Sequence, residues 1–248
     1  MNPGTRWSLL PEVIKNLLII NGLFYLATLS LQIYGVDLTR ILGLYLPGSE
    51  LFKPYQLVTH MFMHGGLLHL FLNMFSLWMF GMSMENYWGA RRFLTYYLVT
   101  GLGAALLHLG VGWFEAYQYH QQLLSVGFGA DELDVLARTG QYYPSALSQQ
   151  YDRLLTDYAS KFRYPTVGAS GAVFGILLAF GMTFPDQRIY LYMAIPVKAK
   201  YFVIGYGLLE LWNGLSMSGS NIAHFAHLGG MLFGWLLIRF WRSRGSIR

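Results

Sequence analysis

Residues 57–84 read LVTHMFMHGGLLHLFLNMFSLWMFGMSM. A membrane span needs about 20 mainly apolar residues, and this stretch meets that without a Lys, Arg, Asp or Glu. Five more apolar blocks lie around it, at about Leu17 to Val36, Phe93 to Phe114, Ala169 to Phe184, Tyr201 to Leu215 and Ala223 to Trp241. The block from Ala169 is short. The pattern predicts an all-α polytopic membrane protein, a single domain over residues 1–248 with six spans.

Composition agrees. Hydrophobic residues make up 54% of the chain and charged residues 12%, against about 25% charged in a typical soluble domain. The 28 glycines are scattered, which suits closely packed membrane helices better than a low-complexity tract. The absence of cysteine excludes disulfides, thiol catalysis and Cys-ligated metals. The net charge of +5 comes from basic residues that flank the apolar blocks and form no single stripe. That favours membrane topology over nucleic acid as their explanation.

Lys and Arg concentrate on the cytoplasmic side of membrane proteins. With the N-terminus inside, Arg6, Lys15, Arg91, Arg92, Arg188, Lys198, Lys200, Arg239, Arg242, Arg244 and Arg248 fall in the cytoplasm. Arg40, Lys53, Arg138, Arg153, Lys161 and Arg163 fall outside, a split of eleven to six among the 17. Both termini are therefore expected in the cytoplasm. The opening MNPGTRWSLLPEVIKN shows neither a small-residue cleavage site nor an Arg/Ser-rich transit character. The first apolar block is read as a retained helix, in a bacterial-type plasma membrane.

Three connections carry their own patterns. Leu38 to Leu46 is too short to cross and suits an interfacial helix or hairpin. Residues 115–165 form a long outer insertion, in which Leu147, Tyr151, Leu154, Leu155, Tyr158 and Phe162 recur at helical spacing behind Pro144. A second short helix is expected around Asp131 to Arg138. Ile189 to Val197 reads as a cytoplasmic connector.

Polar groups within a bilayer are costly, so each is a functional candidate. They fall in three clusters. Gly168-Ala-Ser170-Gly171 opens the fourth span, where unpaired backbone N–H groups can hold an anion beside an exposed hydroxyl. Those are the needs of an acyl-transfer nucleophile and part of its oxyanion hole. In the last span His227 precedes Gly230 and Gly234, and an imidazole can serve as a general base. If the Gly230/Gly234 face meets the Gly171/Gly175 face, Ser170 and His227 come close. The third cluster is His60, His64, His69 and Asn73. His69 and Asn73 are four apart and share one helix face, so both could donate to a developing oxyanion. His60 and His64 read as structural, and no H-E-x-x-H occurs, so no metal is expected. Taken singly, each cluster is also explained by packing.

Three other polar residues have narrower readings. His224 reads as a satisfied structural histidine. Glu210 is expected to pair with backbone or with Asn213. Tyr206, together with packing, is the expected means of orienting His227.

In this order the three clusters resemble the rhomboid family of intramembrane serine proteases, over about Tyr55 to Gly234. The resemblance rests on H-x-x-x-H-x-x-x-x-H-x-x-x-N, G-x-S-G and A-H-x-x-G-x-x-x-G, each in its own span. It implies a rhomboid-like six-helix bundle, to which this chain adds an extracytoplasmic helical insertion, and a Ser–His dyad with no acid required. It also implies Ser170 as nucleophile and His227 as base, with His69, Asn73 and the Ser170 N–H stabilising the oxyanion. Gly168, Gly171, Gly175, Gly230 and Gly234 would be packing residues. Membrane-protein substrates in the lipid bilayer are the implied partners, without nucleic acid and without a cofactor. The main alternatives are a catalytically silent rhomboid-like factor that binds membrane proteins, and a histidine-lined transporter. Glu85 with Gly89 fits the family's usual cytoplasmic turn. The chain departs from the family at Tyr55-Gln56, where many members carry Trp-Arg, and in the length of the insertion.

Overall fold

The computed structural model describes residues 7–142, 144–191, 194–216 and 222–245. Arg6 and Arg248 of the charge count, residues 192–193 of the connector and the side chain at 223 lie outside that description. The helices are α1 (Glu12–Gln32), α2 (Leu38–Leu42), α3 (Gln56–Thr59), α4 (Leu67–Trp88) and α5 (Ala90–Ser125). After them come α6 (Ala130–Thr139), α7 (Ala146–Gln150), α8 (Asp152–Arg163) and α9 (Ser170–Thr183). A hairpin of β1 (Arg188–Leu191) and β2 (Ile195–Lys198) then leads into α10 (Ala199–Ser216) and α11 (Ile222–Ser243). A helix thus stands at each apolar block. Among the described residues α1, α4 and α5 are long and apolar enough to cross a membrane, and α9 is a shorter apolar helix. The chain is a multi-pass integral membrane protein.

The second block is not one helix. A single 3₁₀ turn, His60–Phe62, follows α3, and α4 starts only after Gly65-Gly66. Gly66 is extended, at φ 171° and ψ 167°, so the helix cannot run back through it. His60 and His64 therefore precede the helix that carries His69 and Asn73. The predicted start at Leu57 is corrected accordingly.

At its other end α4 stops at Gly89, which has φ 81°, a region that favours glycine. One turn earlier the buried Glu85 reaches α1, accepting from the N–H groups of Val13 and Ile14 at 2.9 Å each. A carboxylate at a helix N-terminus meets its free N–H groups and the positive end of its dipole. Glu85 thereby joins two helices through one side chain.

The 36 residues of α5 span about 54 Å at 1.5 Å per residue, well beyond a hydrocarbon core of about 30 Å. Its extension past Phe114 supplies one wall of a second apolar core with Leu133, Leu136, Leu155, Tyr158 and Phe162 from α6 and α8. Lys161 reaches Glu115 at 2.8 Å across that contact. The helix expected near Asp131 to Arg138 is α6, closed by Gly140 in the left-handed region. The helix expected across 147–162 is interrupted at Tyr151 (φ −112°, ψ 21°) and is two helices. Ser145 caps the first, its Oγ accepting from the Ser148 N–H at 3.0 Å. The connector is an antiparallel hairpin pairing Arg188 with Lys198 and Leu191 with Ile195.

The main core centres on α9. Gly171 through Leu177 are buried without interruption, as expected of a helix apolar all round. α4, α5 and α11 pack around it.

Candidate active site

The loop that ends in Ser170 is pinned at three points. Leu44 and Thr166 exchange backbone hydrogen bonds at 2.9 and 2.8 Å, and the Gly168 N–H donates to the His60 carbonyl at 2.9 Å. The Thr166 hydroxyl lies 2.5 Å from His108 Nε2. Gly168 has φ 127°, and a Cβ there would lie 2.9 Å from His69 Cε1. Glycine at 168 thus lets the chain turn into α9 and lets His69 approach. Ser170 is the first residue of α9, where backbone N–H groups have no partner within the helix.

The loop carrying Leu44 is itself held by Gln56. This buried side chain accepts from the N–H groups of Lys53 and Tyr45, at 3.0 and 3.4 Å, and donates to the carbonyls of Leu51 and Ile41, at 2.9 and 3.1 Å. Tyr55 adds a bond from its hydroxyl to the Ile41 carbonyl at 3.2 Å. The departure at Tyr55-Gln56 therefore still anchors the loop, with an amide that both donates and accepts.

α9 and α11 touch backbone to backbone. A Cβ on Gly230 would lie 1.8 Å from the Gly171 carbonyl oxygen. The other small residues of the two faces also admit α5: a Cβ on Gly171 would meet Ala104, one on Gly175 would meet Thr100, and one on Gly234 would meet the Tyr96 hydroxyl. The expected meeting of two glycine faces is thus a three-helix junction. Tyr96 ties it further by donating to the Gly175 carbonyl at 2.8 Å.

That contact brings Ser170 Oγ to 2.9 Å from His227 Nε2. Phe174, one turn below Ser170, lies flat on the imidazole with centroids 4.1 Å apart and planes within 4°. The ring plane is set by this stack. Tyr206 packs on Phe174 at 4.9 Å, so it reaches His227 only through that ring. Glu210 is the polar side chain at the imidazole: its Oε2 lies 2.9 Å from His227 Nδ1 and 2.7 Å from His224 Nδ1. Its expected pairing with backbone or Asn213 is replaced by two imidazoles. The signal was a lone carboxylate within an apolar span.

His69 and Ser170 line one cavity of about 180 Å³, together with His227 and Gly168. Asn73 and Ser170 line a second, of about 750 Å³, between α4, α9, α10 and β1. Asn73 donates its amide to the His69 carbonyl at 3.0 Å. Each of the two expected oxyanion donors therefore shares a cavity with the serine. His60 is buried with Nδ1 2.8 Å from the Gln56 carbonyl oxygen, in keeping with a structural role, and His64 packs edge-on against His69 at 5.1 Å. Chemically, a hydroxyl within hydrogen-bond reach of an imidazole nitrogen, beside the unpaired N–H groups of a helix start, suits attack on a carbonyl.

Comparison with known proteins agrees with the motifs. The rhomboid domain model matches residues 52–130 and 136–244. Rhomboid protein 1, mitochondrial, of Saccharomyces cerevisiae is 28% identical over 71% of this chain and 40% of its own length. RHOMBOID-like protein 12, mitochondrial, of Arabidopsis thaliana is 31% identical over 77% of this chain and 48% of its own. The chain thus spans under half the length of these relatives. Their mitochondrial names lend no support to the bacterial-type plasma membrane expected from the opening residues. With the family model matching well over half of its residues, the chain belongs to the rhomboid family.

Proposed function

We propose that the chain is an intramembrane serine endopeptidase that cuts transmembrane segments of other membrane proteins. The observation that carries this reading is the 2.9 Å approach of Ser170 Oγ to His227 Nε2, at the edge of a cavity bordered by α4 and α10. A substrate helix enters beside those two helices and unwinds locally. His227 Nε2 takes the Ser170 proton as Oγ bonds to the scissile carbonyl carbon. The resulting oxyanion is held by the Ser170 N–H, His69 and Asn73. Collapse breaks the C–N bond, and the leaving amine takes the proton back from His227. Water entering from the outer face, activated by His227, then hydrolyses the acyl-enzyme and releases a carboxylate. No cofactor takes part.

The six apolar helices are proposed as six spans of one domain, with both termini cytoplasmic and 115–165 on the outer side. The exposed surfaces of α1, α4 and α10 would face lipid. The test is cleavage of a labelled single-span substrate by purified protein in detergent. Wild type should cut, and both Ser170→Ala and His227→Ala should lose about 10³-fold or more. A fluorophosphonate should label Ser170 in wild type only. Retention of uncut substrate by an unlabelled wild type would instead identify a silent binding factor.

A further inference from the structure

We infer that Glu210 is a positioning residue for His227, which turns the proposed dyad into a Ser170–His227–Glu210 relay clamped by His224. This rests on the reading of Ser170 as nucleophile and His227 as base. Glu210 lies on α10, is 4% exposed, and presents a single oxygen to both imidazoles on α11. An ionised carboxylate has no proton to give, so both Nδ1 atoms carry hydrogen and donate to it. For His227 this leaves Nε2 unprotonated, the form that can accept the Ser170 proton 2.9 Å away. As that proton arrives, the imidazolium is formed beside a negative charge.

His224 gives the carboxylate a second fixed donor, so the oxygen cannot swing away from His227. Phe174 holds the imidazole in plane and Glu210 sets its rotation and tautomer, which two side chains on different helices determine together. The helix carrying Glu210 also borders the large cavity, through Phe202 and Tyr206. Displacement of α10 by a substrate would therefore be felt at the base.

The experiment compares full-length wild type with Glu210→Gln and Glu210→Asp on the same labelled substrate. The Gln variant keeps the shape and removes the charge. We expect its kcat to fall by about 10²–10⁴-fold with KM within about twofold; the Asp variant should recover part of that loss. Protein labelled with ¹⁵N-histidine gives a second readout that needs no variant: wild-type His227 should be protonated at Nδ1 and bare at Nε2. Observation of the opposite tautomer would overturn the inference. So would Ser170-dependent cleavage that Glu210→Gln leaves within about threefold of wild type, and that result would leave the protease reading intact. Cleavage by Ser170→Ala would overturn both. The three ligand atoms lie within 4.8 Å of one another, a spacing zinc could also bridge. Activity lost on chelation and restored by zinc would therefore replace the relay with a metal site, whereas indifference to chelator supports it.

Discussion

α11 and α10 pack against α9 in opposite ways. On the α11 side backbones touch, since a Cβ on Gly230 would run into the Gly171 carbonyl, and α5 closes the junction against Gly171, Gly175 and Gly234. On the α10 side one contact is close, a Cβ on Gly181 lying 2.7 Å from Val203, but Phe202 and Tyr206 line a large cavity that opens towards α4. The rest of α10 is largely unpartnered: Tyr201, Ile204, Leu208, Trp212 and Leu215 are exposed and a Cβ on Gly205 would meet nothing within 4 Å. One flank of α9 fixes distances while the other leaves room. Proteolysis within a membrane needs both: an invariant Ser–His distance, and a way in for a substrate helix. Glu210 is the polar exception on the loose side, a buried tie from α10 to His227.

The comparison breaks first at Gly230. Gly230→Leu should cost about 3 kcal/mol or more, because neither backbone can yield without unpacking α5. Thermal unfolding in detergent checks this, and cleavage should vanish with it. An unchanged midpoint would mean that α9 and α11 do not touch.

The tight side extends outward through Gln56. Gln56→Ala removes the side-chain partner of four backbone groups of residues 41–53, of which the Ile41 carbonyl keeps the Tyr55 hydroxyl. We expect a loss of about 2 kcal/mol and faster protease nicking in that loop, which pairs with Thr166 four residues before Ser170. Resistance to nicking equal to wild type would show that another contact holds the loop.

Much of this contrast was legible in the sequence, and the remainder had physical reasons for staying hidden. Apolar length located every large helix, and small-residue spacing named Gly171 and Gly230 as a contact. The break at Gly65-Gly66 was obscured because the apolar run passes through it, and the His60-to-Asn73 spacing reads as helical either way. Likewise Tyr151 keeps helical periodicity on both sides of an interruption. Glu210 was visible as a costly charge, but its two partners follow from the orientation of α10 against α11, which spacing within one helix cannot supply. Gln56 was noticed as a departure, yet four bonds from one amide arise only when the loop folds back over it.

On the loose side Gly205→Ala should leave stability within about 0.5 kcal/mol of wild type. A Cβ at 230 would lie 1.8 Å from the Gly171 carbonyl oxygen, whereas one at 205 meets nothing within 4 Å. Measured side by side in one detergent, the two substitutions express the contrast directly. A large loss at 205 would reveal a partner for α10 and remove the basis for treating that flank as open.

The smallest effect belongs at the foot of α10, where Asp186 meets Lys198 and Lys200 at 3.1 Å each. Lys200 first and Lys198 second hold the Asp186 carboxyl below its usual 3.8. A depressed carboxylate pKa contributes stability that is present above the unfolded value and is lost as pH falls through the lower folded one. At neutral pH the contribution is therefore fully present, but the carboxylate is exposed to water and salt screens it. The start of α10 is also held by backbone bonds from Ala199 to Gln187 and from Lys200 to Pro185, at 2.8 and 3.1 Å, which the side chain does not provide. Asp186→Asn should accordingly leave the unfolding midpoint unchanged at pH 7 and moderate salt. Any difference from wild type should appear only at low ionic strength and fade as pH drops below about 4. A clear shift at neutral pH in high salt would make this ion pair a structural anchor of α10, and the freedom assigned to that helix would have to be withdrawn.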